Sequence, residues 1–146
     1  MGLVSDKDFI VRLAQSLGTL LSAVMGLRKE GKEPDALELL ATSSDDLLGV
    51  PRMVLDSLDA ASAARMLAEP NRTRIYARLL REKADILRDL EQGDEHVRRR
   101  AAEILIEATR MKGGVRPEDR TELAALGEVD LTGAYADAAA RLLAPA

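Results

Sequence analysis

The side chains able to do chemistry in this chain are carboxylates, arginines and a single histidine; there is no cysteine. His96 stands in Gly93-Asp94-Glu95-His96, at the predicted start of a helix. As a general base it would need a nucleophile or an orienting carboxylate across a cleft. As a ligand in a di-iron bundle it would need Glu at position 93, where the chain has glycine. The simpler reading is a surface histidine in a first helical turn. Glu82, Asp85, Asp89, Glu103 and Glu107 fall on two consecutive predicted helices. Carboxylates on opposed helices hold a hard cation, or divide acid and base roles, only when buried and close together. Most of these have an arginine three or four residues away, as Arg78 and Arg81 stand to Glu82 and Asp85, and Arg99 and Arg100 to Glu103. Solvated pairing within each helix accounts for them. With no Walker motif, no dinucleotide glycine pattern and no zinc spacing, the sequence points away from an enzyme and implies no cofactor and no metal.

The arginines are more informative. Between 72 and 116 there are 12 Lys or Arg against 8 Asp or Glu, and elsewhere 9 against 17, so the net charge of −4 hides a basic middle. At about 100° per residue, Arg74, Arg78, Arg81 and Arg88 fall within about 80° on one face of their helix, turned from the apolar arc of Ile75, Leu79, Ile86 and Leu90. Arg98, Arg99 and Arg100 open the following antiparallel helix. Such a ribbon can grip phosphates or an acidic peptide through planar donor forks. Asp85 and Asp89 interrupt it, and no aromatic side chain interleaves it for base stacking. A solvated face is the plain alternative, an acidic protein partner the next reading and nucleic acid the weakest.

These groups depend on the helices that carry them. Residues 5 to 30 read as one long central helix around which the rest is organised. Ile10, Leu13, Leu17, Leu20, Val24 and Leu27 repeat at three- and four-residue intervals, an apolar seam. Ala14, Gly18, Ser22 and Gly26 form a second stripe at four-residue spacing, and small side chains there allow a second backbone to come close. The uncharged run from Leu13 to Leu27 falls short of the roughly 20 residues of a membrane span. A buried core helix without a membrane span is expected, and Leu17, Gly18, Leu20, Ser22, Val24 and Gly26 are candidates for self-association into a homodimer. Ser5 with Asp8 predicts a capping box at its start.

At 146 residues the chain fits one domain able to bury a core without staples. Aromatics are confined to Phe9, Tyr76 and Tyr135, and leucine and alanine dominate, which predicts an all-α fold with an aliphatic core. Pro34 starts a second helix reaching Gly49, weakened at Ser43-Ser44-Asp45-Asp46. Pro51 opens one or two short helices, restarting at Asp59 or Ser57. Asn71 caps a helix over 72–90, Asp94 one reaching Lys112, and Pro117 and Leu131 begin the last pair. The expectation is therefore a single domain, 1–146: a bundle or short solenoid of about seven helices in antiparallel hairpins, with hairpin regions at 34–69 and 71–112 and a C-terminal pair at 117–143. The turn glycines Gly31, Gly93 and Gly127 lie 62 and 34 residues apart, and only the second interval equals the tetratricopeptide period. A cysteine-free chain with no secretory or lipidation signal is expected in the cytoplasm.

Asp8-Phe9-Ile10-Val11-Arg12, Gly31-Lys32 with Asp35-Ala36-Leu37, Leu55-Asp56-Ser57-Leu58, and Tyr76-Ala77-Arg78-Leu79-Leu80-Arg81-Glu82-Lys83-Ala84-Asp85-Ile86-Leu87 followed by Gly93-Asp94 together resemble a family of uncharacterised bacterial all-helical, tetratricopeptide-like proteins. The resemblance spans about residues 6–112. It implies the helical-hairpin fold and carries over no activity and no site residue. The function expected is a non-enzymatic protein–protein interaction or scaffold module, with anion binding through the Arg74–Arg100 ribbon as the alternative.

Overall fold

The computed structural model describes residues 6–145, and among them it forms eight helices and no strand. In chain order they are α1 (Asp6–Lys29), α2 (Glu33–Leu48), α3 (Arg52–Asp56), α4 (Ala60–Leu67), α5 (Pro70–Asp89), α6 (Glu95–Thr109), α7 (Pro117–Ala125) and α8 (Gly133–Leu143). The all-α class agrees with the aliphatic composition, and the segment after Pro51 divides into two short helices. The capping box expected at Ser5 lies outside the described residues.

Local chemistry explains most boundaries. Asp59 caps α4 as expected, its Oδ1 accepting the Ser62 N–H at 2.7 Å. Three expectations need correction. First, α2 runs unbroken through Ser43–Asp46, because the buried Ser44 hydroxyl donates to the Leu40 carbonyl inside the helix and so satisfies itself without unwinding it. Second, α5 is capped by Glu69 and not Asn71: the Glu69 carboxylate accepts the N–H groups of Asn71 and Arg72 at 2.9 and 2.7 Å. Pro70 takes the first helical position, where no N–H is needed. Third, Asp94 precedes α6 but makes no side-chain cap bond; its carboxylate is turned to arginines instead.

Three antiparallel hairpins, α1/α2, α5/α6 and α7/α8, succeed one another, with α2 packed on α5 and α6 packed on α4, α7 and α8. The α5/α6 hairpin is the centre. It buries Ile75, Tyr76, Leu79, Leu80 and Ile86 from one helix, and Ala101, Ile104, Leu105 and Ile106 from the other. The expectation that residues 5–30 form the central helix is corrected: α1 is an outer helix, held mainly by α2. An apolar seam shows that a helix needs neighbours, and α2, with a smaller share from α5, is enough to bury Leu13, Leu20 and Val24 without placing α1 at the centre.

Polar ties join the neighbouring elements to the α5/α6 hairpin. The buried Tyr76 hydroxyl donates to Asp56 Oδ1 at 2.6 Å and accepts from Arg100 Nε at 3.1 Å, while both Nη groups of Arg100 donate to the carbonyls of Leu58 and Leu55 at 2.7 Å. This joins α3 and the turn after it to α5 and α6. At the other end, the Arg72 guanidinium sits over the Phe9 ring, 4.9 Å from its centroid. It also lies against Gly49, the left-handed residue that ends α2 (φ 74°).

Candidate functional site

The outer position of α1 leaves an apolar face uncovered. Ala14, Gly18, Ser22 and Gly26 are all exposed, and beside them Ile10, Val11 and Met25 are 42%, 44% and 48% exposed. A side-chain carbon added at Gly18 or Gly26 would meet nothing within 4 Å. By length and composition α1 could cross a membrane, yet only 17% of its most apolar stretch is buried within the chain. The six residues expected to self-associate therefore part company. Gly18, Ser22 and Gly26 lie on the open face and Leu17 is half-buried at its edge, whereas Leu20 and Val24 are buried against the chain's own core and are corrected out of any such surface.

The seven arginines expected to form a ribbon occupy three separate places. Arg74, Arg78 and Arg81 project from α5 towards α7. Arg74 Nε and Nη2 donate to the two oxygens of Asp119 at 2.7 and 2.9 Å, and Nη2 also reaches the Gly114 carbonyl at 3.0 Å. Arg78 bonds Glu82 at 3.1 Å through Nε and Glu122 at 3.2 Å through Nη1. Arg88 and Arg98 converge on Asp94, and Arg98, only 3% exposed, also donates to Asp85 at 3.0 Å; Arg99 lines the same recess. Arg100 is enclosed in the Tyr76 tie. Consecutive helical residues point about 100° apart, so Arg98-Arg99-Arg100 cannot present one face, and the expectation of a single ribbon is corrected. Asp94 is held below the usual carboxylate range chiefly by the Arg98 hydrogen bond. Burial pushes the Asp119 carboxyl up, but Arg74 and the Arg116 N–H together outweigh it and hold it below that range.

Two of the features seen in the sequence do meet. A cleft of about 240 Å³ opens between α1, α5 and α7, with Leu13, Ala14 and Leu17 on one wall and Leu126 on the other; Arg74, Arg78 and Arg81 also line it. Arg81 differs from its neighbours. Its side chain is 15% exposed, and its contacts are two loose ion pairs, 3.4 Å to Glu122 and 4.0 Å to Glu82. No hydrogen bond ties its guanidinium to the described residues, and its buried Nε has only the ion-pair contact with Glu122, while Nη1 of Arg74 is buried without a hydrogen bond.

No family model, curated protein or solved structure matches the chain. The site therefore rests on its own geometry. His96 lies exposed in the first turn of α6. Among the carboxylates, Glu82 is buried and meets Arg28 and Arg78, Asp89 meets Arg28, Asp85 meets Arg98, and Glu107 accepts from Arg110 and the Tyr135 hydroxyl. Pairing within a helix, as expected, describes Glu82 with Arg78 and Glu107 with Arg110. Asp85 and Asp89 reach across helices instead, and Arg100, expected beside Glu103, is taken up by Tyr76, Leu58 and Leu55. Sequence reasoning missed Asp119 and Glu122, which stand 45 and 44 residues from their partners; nothing in local spacing could have flagged them.

Proposed function

We propose that this protein is a non-enzymatic interaction module that associates with a second copy of itself through the outward face of α1. The supporting observation is that its most apolar long helix is also one of its least covered. Exposed apolar patches of this kind on a small chain mark contact surfaces, and the line Ala14, Gly18, Ser22, Gly26 lets a partner helix approach closely. Size sets the strength. A helix of 24 residues runs about 36 Å at about 1.5 Å per residue, and a strip about 10 Å wide along it covers about 360 Å². A stable interface buries about 800 Å² on each partner, so α1 alone supports a pairing that reverses on dilution. The groove beside it, lined by Phe9, Thr19, Leu39 and Leu47, is the area available to extend it.

The alternative, an acidic partner or nucleic acid gripped along Arg74–Arg100, needs the guanidiniums on one open face and has less support, because most of them are engaged within the chain. Light scattering on a sizing column, across a range of concentrations, tests the proposal. A mass rising towards that of two chains is expected, and Gly18→Leu or Gly26→Leu should return it to one. A single-chain mass at every concentration would overturn the reading. So would a dimer that neither substitution disturbs. Sedimentation with phospholipid vesicles in place of self-association would assign the face to a lipid surface instead.

A further inference from the structure

We propose that the cleft between α1, α5 and α7 binds an aliphatic carboxylate of about eight carbons, with its chain between the apolar walls and its head group on Arg81. The volume is about 240 Å³; at about 30 Å³ per water-sized group it has room for about eight methylenes. Leu13, Leu17, Ile75, Leu105 and Leu126 supply the apolar lining. The polar end is set by Arg81. A guanidinium largely removed from water normally has most of its donors filled, and the other two arginines of α5 that line the cleft each hydrogen-bond carboxylates, Arg74 to Asp119 and Arg78 to Glu82 and Glu122, although Nη1 of Arg74 is left without a bond. Arg81 has only the two loose ion pairs. A carboxylate takes two parallel N–H donors from such a fork. The surrounding carboxylates Glu82, Glu118 and Glu122 disfavour a dianion, so a singly charged head group fits better than a phosphate monoester. Glu122 lies 3.4 Å from Arg81 Nε and already occupies, from the protein side, part of the place the ligand's head group would take.

The test uses octanoate, with octanol and octylamine as the neutral and cationic members of the same length, in titration calorimetry and in amide shift mapping of the full chain. Octanoate should bind about ten-fold tighter than octanol, as a charge-assisted pair outweighs a neutral hydrogen bond. Shifts should be confined to the sides of α1, α5, α6 and α7 that line the cleft. Arg81→Gln should erase the preference while octanol still binds. Arg81→Lys, which keeps the charge and loses the fork, should fall between. Ala14→Phe, filling the cleft from a wall position, should weaken all three ligands. Equal affinity for octanoate and octanol, shifts elsewhere, no binding at millimolar ligand, or a preference that survives Arg81→Gln would each overturn the assignment.

Discussion

Replacing Gly18 and Gly26 by alanine should raise the stability of the dilute chain. Both sit inside α1 on its exposed side, and at neither does an added Cβ meet anything within 4 Å. Glycine within a helix costs about 0.5–1 kcal/mol relative to alanine, because more backbone freedom is lost on folding. The two positions are about 12 Å apart along the axis, far enough for their effects to add, giving about 1–2 kcal/mol for the double variant. In a chain near this size about 1 kcal/mol moves the thermal midpoint by about 2–4 °C, so the double variant should melt about 2–8 °C higher. Circular dichroism melts at submicromolar protein measure this directly. The same melts at high concentration separate fold from association. A chain that pairs gains a concentration-dependent increment in midpoint. Gly18→Leu should keep the helical gain and lose that increment, whereas the alanine variant should keep most of both. A lower midpoint for the alanine double variant at dilution would refute the open placement of this face.

Asp119→Ala should cost about 3–5 kcal/mol, since it strands the Arg74 guanidinium in a largely buried place. Denaturant melts would show the loss, amide exchange should report it first on α7, and a change below about 1 kcal/mol would contradict the tie. Because the Asp119 and Asp94 carboxyls are held below their unfolded values, their stabilisation is complete above about pH 4 and declines as pH falls further. The Tyr76 hydroxyl is shifted the other way, raised by burial and then by Asp56. Its contribution is complete below about pH 10 and is lost as pH rises beyond that. Tyr76→Phe should cost about 1–3 kcal/mol at neutral pH and flatten the alkaline fall in stability, which an unchanged alkaline slope would exclude.

Much of the helical layout was legible because it is written locally. Asp59 and Gly49 sit where a cap and a left-handed turn belong, and Pro34, Pro70 and Pro117 fall within first turns. Local patterns failed where partners are distant. The periodicity of α1 identified its apolar side correctly, yet Val24 is fully buried while Gly18 and Gly26 face open space, and only the position of α2 separates the two outcomes. Arg74 and Arg81 share a helical face and look equivalent in sequence. Asp119, across a hairpin, satisfies one and leaves the other with loose ion pairs. The site emerged from that inequality, which spacing within one helix does not encode.

The contact between Gly49 and Arg72 constrains how this sequence can drift. Any L side chain at position 49 meets two obstacles together: a left-handed backbone at φ 74° and a guanidinium whose carbon would lie 3.0 Å from the new Cβ. A smaller residue at 72 would relieve the second obstacle, but it would also take the cation away from the ring of Phe9. Position 49 is thus held to glycine chiefly by its left-handed backbone, while positions 9 and 72 depend on each other through the contact of cation and ring. A cation at position 72 facing an aromatic ring at position 9 therefore marks a chain whose outer helix is docked at its N-terminal end.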